Sequence, residues 1–393
     1  MSAPSLFEST LVDTADHHRD LRESVRKLVS KFGRKYFQQV VNADEKPVEL
    51  WNALGEAGFL GVHIAEQHGG GGGGLSELNV VIEEVAANGC PMLQMVINSI
   101  TAPIIAGCGT DAHKRDWLPG IANGTRRMSF AITEPDAGSN THKVTTNAQR
   151  TSTGWVINGA KYWTSALDEA DAVMVVARDG DPVPDGQRAG LSLFIVPADA
   201  PGISKTRIDS ALRSSEKQFS VFFDNVEIPE SALVGTPGAG LHQVFTGLNP
   251  ERVAAAAVNN GIARFAIAQA TQYCKDRSVW KTPIGAHQGV AHPLAEAYIN
   301  VQAARLLTAR AAQLCDGGED AAETANMAKF AAAEASLKAL DQAIQVHGGN
   351  GLSNEYGLSD LWFIARLHRT APVSREMILN YVAQHSLGLP KSY

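Results

Sequence analysis

Cysteine is scarce in this chain, and what is missing around it excludes whole classes. There are four (Cys90, Cys108, Cys274, Cys315), scattered, with no Cys-x-x-Cys pair. That argues against a disulfide scaffold and a zinc ribbon, and fits reduced structural thiols in a cytoplasmic protein. No run of 18 apolar residues is present, so no membrane span is expected. Positive charge is not in excess. The net charge is −7 and the pI about 6.0, which argues against a nucleic-acid partner. The start, MSAPSLFESTLVDTADHH, lacks a basic segment followed by an apolar core, so no signal peptide is read. A glycine run, His68–Gly74, lacks the Gly-Lys-Ser/Thr that a phosphate loop requires, and is expected to be a flexible surface loop. No metal-ligand spacing stands out.

What is present is an ordinary globular composition of 393 residues, 44% apolar and 19% charged. That length suits two or three domains. Residues 1–128 read as helical. Leu21, Val25, Leu28 and Phe32 recur at helical spacing, and Asn79–Asn88 and Met92–Gly107 continue the pattern. From 129 to 237 the period becomes two. Gly154–Gly159, Ala172–Ala177, Leu191–Val196 and Phe219–Asp224 are strand-like, with Asp179–Gly190 a polar loop. A small antiparallel barrel or sandwich is expected there. From 238 to 393 the chain is helical and rich in alanine. Val258, Ile262 and Phe265 mark one face, Val290, Leu294, Tyr298 and Val301 a second, and Met327, Phe330, Leu337, Leu340 and Ile344 a third. A last helix follows Ser374. Four long helices with short breaks predict a bundle.

Two segments of the middle region carry most of the chemical signal. Ala131–Asn140 (AITEPDAGSN) is a rigid polar loop leaving a strand, with Pro135 fixing one φ and Gly138 free to take a positive one. Gly159–Ala166 (GAKYWTSA) sets Trp163 beside Thr164 and Ser165, an aromatic wall with a donor next to it. Further on, Arg277-Ser-Val-Trp280 leads through Pro283-Ile284 to Gln288, and Gln345-Val-His347-Gly348-Gly349-Asn350-Gly351 follows an amphipathic stretch. An arginine fork suits a diphosphate. Together, in this order and spacing, these segments resemble the acyl-CoA dehydrogenase family over most of the chain.

The resemblance implies a helical domain, a β domain and a four-helix bundle, with FAD as cofactor. It places Ile132, Thr133, Trp163 and Ser165 at the flavin, and Gly138 and Ser139 at the CoA entrance. Ser165 stands where the family usually has threonine, and its hydroxyl is expected to donate toward the flavin. Arg277, Trp280 and Gln288 are expected on the cofactor. Trp280-Lys281 replaces the family's Phe-Gly, which puts the turn there in question. Gln345, Gly348 and Gly349 would reach the FAD of a neighbouring subunit, so a dimer or tetramer is implied. His347 is read as a packing or capping residue. Ser374 and Glu376 stand where relatives contact the adenine end of FAD.

The reaction implied is α,β-dehydrogenation of an acyl-CoA to a trans-2-enoyl-CoA, with electrons passed to an electron-transfer flavoprotein. Proton removal α to a thioester needs a carboxylate. Most relatives supply it in a Tyr-Glu-Gly-Thr motif, but alignment from Gln345 puts Ala371-Pro372-Val373-Ser374 there. Isovaleryl- and long-chain-type members instead place it just before an arginine at the start of the bundle. Glu251-Arg252 occupies that position, making Glu251 the expected base and Arg252 a substrate contact. On residue pattern alone Glu251 would be a first-turn helix glutamate, favoured by the dipole. The family also polarises the substrate carbonyl with the backbone N–H aligned with position 372, and Pro372 has none. Arg369, Ser374, Arg375 and the Val373 N–H are the nearby substitutes. Two alternatives stand beside this reading: a catalytically weak acyl-CoA-binding flavoprotein, and a flavin oxidase or monooxygenase on the same fold.

Overall fold

The structure, a computed structural model, describes residues 12, 15–179 and 190–391. Most of the expected polar loop at 179–190, and most of the N-terminal stretch read above, lie outside the described residues. Among the described residues six α-helices come first: α1 (Asp16–Val29), α2 (Gly33–Asn42), α3 (Val48–Glu56), α4 (Leu75–Ala87), α5 (Leu93–Cys108) and α6 (Asp111–Asn123). Phe32, expected on the first helix, lies beyond its end and caps α2. The glycine run is at the surface but is not a free loop. Amides of Gly71, Gly72 and Gly73 donate to the carbonyls of Gly61, Ile64 and Val62, each at 2.9 Å.

Eight strands of the described residues follow in one sheet: β1 (Met128–Ala131), β2 (Asn147–Arg150), β3 (Gly154–Ser165), β4 (Ala172–Asp179), β5 (Leu191–Pro197), β6 (Ile203–Arg207), β7 (Gln218–Pro229) and β8 (Leu233–Val234). The order is β6-β7-β3-β2-β4-β5-β8, and β1 also pairs with β4. The sheet is mixed rather than wholly antiparallel, because β1 and β2 both run parallel to β4. β4 is buried on both faces. Ala172, Met174 and Val176 enter the core shared with α5 and α6, while Val173, Val175 and Ala177 enter the core inside the curled sheet. Double burial explains its unbroken apolar run.

The last part holds α7 (Gly240–Asp276), a hairpin of β9 (Ser278–Val279) and β10 (Thr282–Pro283), α8 (Gln288–Asp316), α9 (Ala322–His347), α10 (Trp362–Thr370) and α11 (Arg375–Tyr381). Three helices are long. The fourth place in the expected bundle is filled by α10 and α11, separated by Ala371–Ser374. Pro372 cannot donate into a helix ladder, and it disfavours helical geometry at the residue before it. α7 begins at Gly240, well before Glu251, because Leu241, Val244 and Leu248 pack on the sheet core. Val253–Val258 is buried all round, as expected for a helix surrounded by others. At Gly261 a Cβ would lie 2.4 Å from the carbonyl oxygen of Glu83, so only glycine allows α7 and α4 to approach this closely.

One apolar core joins the first helices to the bundle, running from Val25–Val96 to Val253–Ala365. A charged seam crosses it. Arg305 and Arg264 reach Glu83 at 2.8 and 2.7 Å, Arg264 and Arg22 reach Glu84 at 2.9 and 3.1 Å, and Arg26 reaches Glu84 at 3.1 Å. Burial works to raise the Glu83 pKa, but the arginines win and hold it at about 2. No helix among the described residues is long and apolar enough to cross a membrane, and all four cysteines are unpaired.

Candidate active site

The two signal segments of the middle region are fastened together by a buried ion pair. Lys161 on β3 extends its Nζ to the carbonyl of Ile132 (3.1 Å) and to Glu134 Oε1 (2.9 Å). Glu134 also accepts from the amides of Thr145 and Thr146 and from the Thr145 hydroxyl, at 2.7–2.9 Å. Burial opposes its charge, but Lys161 and these donors bring its pKa down to about 2. Burial lowers Lys161 to about 8, with Glu134 opposing the shift. The Tyr162 amide donates to the Thr133 carbonyl at 2.8 Å, completing the link. Ile132 and Thr133 are half-buried, and Gly138 and Ser139 stand exposed at the loop end.

Trp163 sits in an irregularity of β3, where pairing with β7 shifts between Lys161 and Thr164. Its φ is 59° and it is 44% exposed, an unusual combination for a large aromatic residue in a strand. Thr164 Oγ1 is buried with no hydrogen-bond partner among the described residues. Ser165 donates its hydroxyl to Gln218 Oε1 at 2.8 Å. With one proton to give, it faces a flavin only as an acceptor in this arrangement, unlike the donor expected from the sequence.

Glu251 lies inside α7 beside Pro250, not in a first turn, so the dipole argument does not apply to it. It is half-buried. Burial pushes its pKa up to about 8, against the pull of Arg252 and Lys329. Arg252 donates Nη1 to Asn249, while its Nε is buried with no partner among the described residues. Leu248, one turn before Glu251, packs on the same core as Ile132, which brings this end of α7 to the flavin-loop side of the sheet. The Ala371–Ser374 break is held against α9, where Lys329 donates to the Val373 carbonyl. Ser374 caps α11, its Oγ accepting from the Met377 amide at 3.2 Å. Glu376 is exposed in the first turn. Arg369 and Arg375 both bind Glu334 Oε1 through Nε, at 2.8 and 3.0 Å.

The remaining candidates gather at the other end of the bundle. Arg277 ends α7, and its amide donates to the Tyr273 carbonyl at 2.8 Å. The hairpin after it turns through Trp280 and Lys281, both left-handed at φ 55° and 72°. The turn therefore forms without the family's glycine, at a cost of roughly 1–2 kcal/mol per residue. Trp280 is 89% exposed, and Gln288 opens α8 nearby. His347 is buried, stacked on Tyr273 at 4.1 Å, with Nδ1 2.7 Å from the Ala343 carbonyl, which is a packing role. It ties the end of α9 and the Gly348–Gly349 turn to the Arg277 end of α7. A Cβ at Gly348 or Gly349 would meet nothing within 4 Å. At 1.5 Å per residue, Glu251 and Arg277 are about 39 Å apart along α7.

The chain matches the acyl-CoA dehydrogenase N-terminal domain over residues 15–125, the middle domain over 129–226 and the C-terminal domain over 238–387. It belongs to the acyl-CoA dehydrogenase family. Membership makes it an oxidoreductase. It is 52% identical to the acyl-CoA dehydrogenase FadE12 of Mycobacterium tuberculosis (strain ATCC 25618 / H37Rv), over 96% of this chain and 98% of that protein. The long-chain specific acyl-CoA dehydrogenase of Rattus norvegicus mitochondria is 30% identical, over 95% and 88%. Among solved structures, a glutaryl-coenzyme A dehydrogenase in complex with glutaryl-CoA matches with a TM-score of 0.91 at 30% identity, over 96% and 97%. Butyryl-CoA dehydrogenase from Megasphaera elsdenii matches at 0.89 and 25%, over 95% and 98%.

Three residues that the structure brings to the candidate site were missed by sequence reasoning. Glu134 and Lys161 lie within the two quoted segments, and the lone lysine of one facing the acidic residues of the other was the signal. Lys329 lies between Met327 and Phe330 on a helix whose neighbouring faces are apolar. A lysine in such a stripe marks a buried charge in search of a partner.

Proposed function

We propose that this chain dehydrogenates the α,β carbon–carbon bond of an acyl-CoA thioester to a trans-2-enoyl-CoA. FAD is its cofactor and an electron-transfer flavoprotein its electron acceptor. The observation that carries this reading is Glu251, a lone carboxyl raised to about 8 by burial beside the flavin-loop end of the sheet. A base of that strength is better matched to a carbon acid at neutral pH than an ordinary carboxylate.

The residues present fit FAD. Trp163 offers an exposed ring face and Thr164 an unpartnered hydroxyl. The main chain at Ile132 and Thr133 is pinned through Lys161 and Glu134. Arg277, Trp280 and Gln288, with the open Gly348–Gly349 turn, suit a diphosphate and its adenosine. When bound, FAD supplies the acceptor for the hydride that leaves the β-carbon. Glu251 takes the α-proton on its carboxylate. Arg252 neutralises part of that charge, and Gly138 and Ser139 border the entrance for CoA.

Glu251 and Arg277 of one chain are too far apart to meet one cofactor, so we assign the Arg277 end to the FAD of a neighbouring subunit in a dimer or tetramer. The unpaired thiols support work in a reducing cytoplasm. The test is Glu251→Gln, which removes charge and keeps shape. It should retain FAD and lose anaerobic bleaching of the flavin by acyl-CoA. Bleaching at the parent rate would remove Glu251 from the mechanism.

A further inference from the structure

His17 and His18 stand in the first turn of α1, and Glu77 stands in the first turn of α4. Their ligating atoms meet. His17 Nε2 lies 3.0 Å and His18 Nε2 2.8 Å from the same oxygen, Glu77 Oε1, and all three atoms fall within 4.8 Å of one another. Successive residues of a helix point about 100° apart and do not ordinarily share a target. Here both imidazoles turn onto one atom, with ring centroids 4.2 Å apart. No other group of three such side chains comes together in this way among the described residues.

The carboxylate is held in place for them. Its other oxygen, Oε2, accepts from the Gly74 amide at 2.6 Å, which orients the group and leaves Oε1 to the histidines. Outer contacts of this kind are what fix a ligand's direction in a metal site. Asp316 of α8 sits alongside on the amides of Leu75 and Ser76 and adds negative charge to the same corner. With its proton on Nδ1, each imidazole presents a lone pair at Nε2. Donors held about 2.0–2.1 Å from one ion lie about 3.0–3.4 Å apart in octahedral or tetrahedral geometry. The observed separations need to open by only a few tenths of an ångström at most. The side chains have room to do so, being 66% exposed at His17, 17% at His18 and 21% at Glu77. Two imidazoles with one carboxylate suit zinc and its neighbours, whereas magnesium and calcium prefer oxygen alone.

We propose that His17, His18 and Glu77 form a binding site for Zn²⁺, which fastens the start of α1 to the start of α4. The ion takes three protein donors and completes its shell with water, at a surface that solvent reaches. None of the three residues is among those assigned above to FAD or acyl-CoA, so the ion is a structural tie and takes no part in the reaction. The sequence does not announce it, because the carboxylate lies 59 residues beyond the nearer histidine.

The test uses the FAD-loaded, tag-free protein, stripped with a chelator and titrated with Zn²⁺ by calorimetry. The parent should bind one equivalent that the double variant His17→Gln, His18→Gln weakens by about tenfold or more, as Glu77→Gln also should. His242→Gln, which removes an exposed histidine outside the cluster, should leave that equivalent unchanged. The tie is read separately, by amide hydrogen exchange. With free Zn²⁺ at ten times its dissociation constant, exchange along α1 should slow by about tenfold in the parent and not in the double variant. No binding by the parent, equal binding by the double variant, or an equal loss in His242→Gln overturns the site. Binding that leaves α1 exchange unchanged overturns the tie. Glu77 also caps α4, so if Glu77→Gln does not fold, the double variant, which keeps the cap, still decides.

Discussion

A carboxyl raised by burial is a useful base only above its own pKa, and this sets the pH behaviour of the site. Glu251 must be ionised to accept a proton. Below about 8 its acid form prevails, so the rate of flavin bleaching should fall as pH falls, by about tenfold per unit on the steep limb. Above about 8 it should level off. Anaerobic stopped-flow bleaching at saturating acyl-CoA measures this directly, and a rate flat from pH 6 to 9 would contradict it. Glu134 shows the opposite balance. It is more deeply buried, but three donors and Lys161 overcome desolvation and keep it charged at about 2. The same residue type is thus a raised carboxyl on α7, proposed above as the base, and a fixed pin in the loop, separated by the number of hydrogen bonds each receives.

Helices in this molecule are finished by one another. The first turn of α4 is capped by Asp316 from the end of α8, which accepts from the amides of Leu75 (2.6 Å) and Ser76 (2.9 Å). Glu77 folds back to the Gly74 amide at 2.6 Å. Asp316→Ala should lower stability by about 1 kcal/mol, the ordinary worth of an N-cap, seen as an earlier denaturant midpoint with FAD content unchanged. A midpoint equal to the parent would show that Glu77 suffices alone. Elements of this kind were only partly legible in the sequence. β4 and β5 showed as apolar runs because both their faces are buried, and α4 and α5 showed through their periodicity. β2, β6 and β8 did not show, since Asn147–Arg150 and Ile203–Arg207 carry mostly exposed, polar side chains and owe their strand form to pairing. The start of α7 was misplaced because the reading followed Glu251-Arg252, while the helix follows Leu241, Val244 and Leu248 onto the sheet. Within the site, motif residues were legible by type. The cap and pin roles of Ser374, Ser165 and Lys161 depend on partners distant in sequence and were not.

At the scale of the whole molecule, the candidate site divides between the two ends of α7. If the Arg277 end serves a neighbour, defects at the two ends should complement. Co-expressed Glu251→Gln and Arg277→Ala chains would form mixed oligomers in which some sites combine an intact Glu251 with an intact Arg277 end. Activity should appear there although each variant alone is inactive. No recovery in verified mixed oligomers would place both ends in one subunit's site. The core described above has a further consequence, for how the chain is made. Val25, Leu50, Val81 and Val85 share one core with Val253, Ile262, Ala304 and Leu340, which emerge from the ribosome only after the entire sheet. At about 5–20 residues per second, the first helices wait on the order of ten seconds with an apolar face uncovered. The middle sheet can close meanwhile, from strands that are all to hand. Nascent chains paused between β8 and α8 therefore carry a finished sheet and an unfinished amino-terminal segment. That segment is the part of this protein that a holding chaperone would meet first.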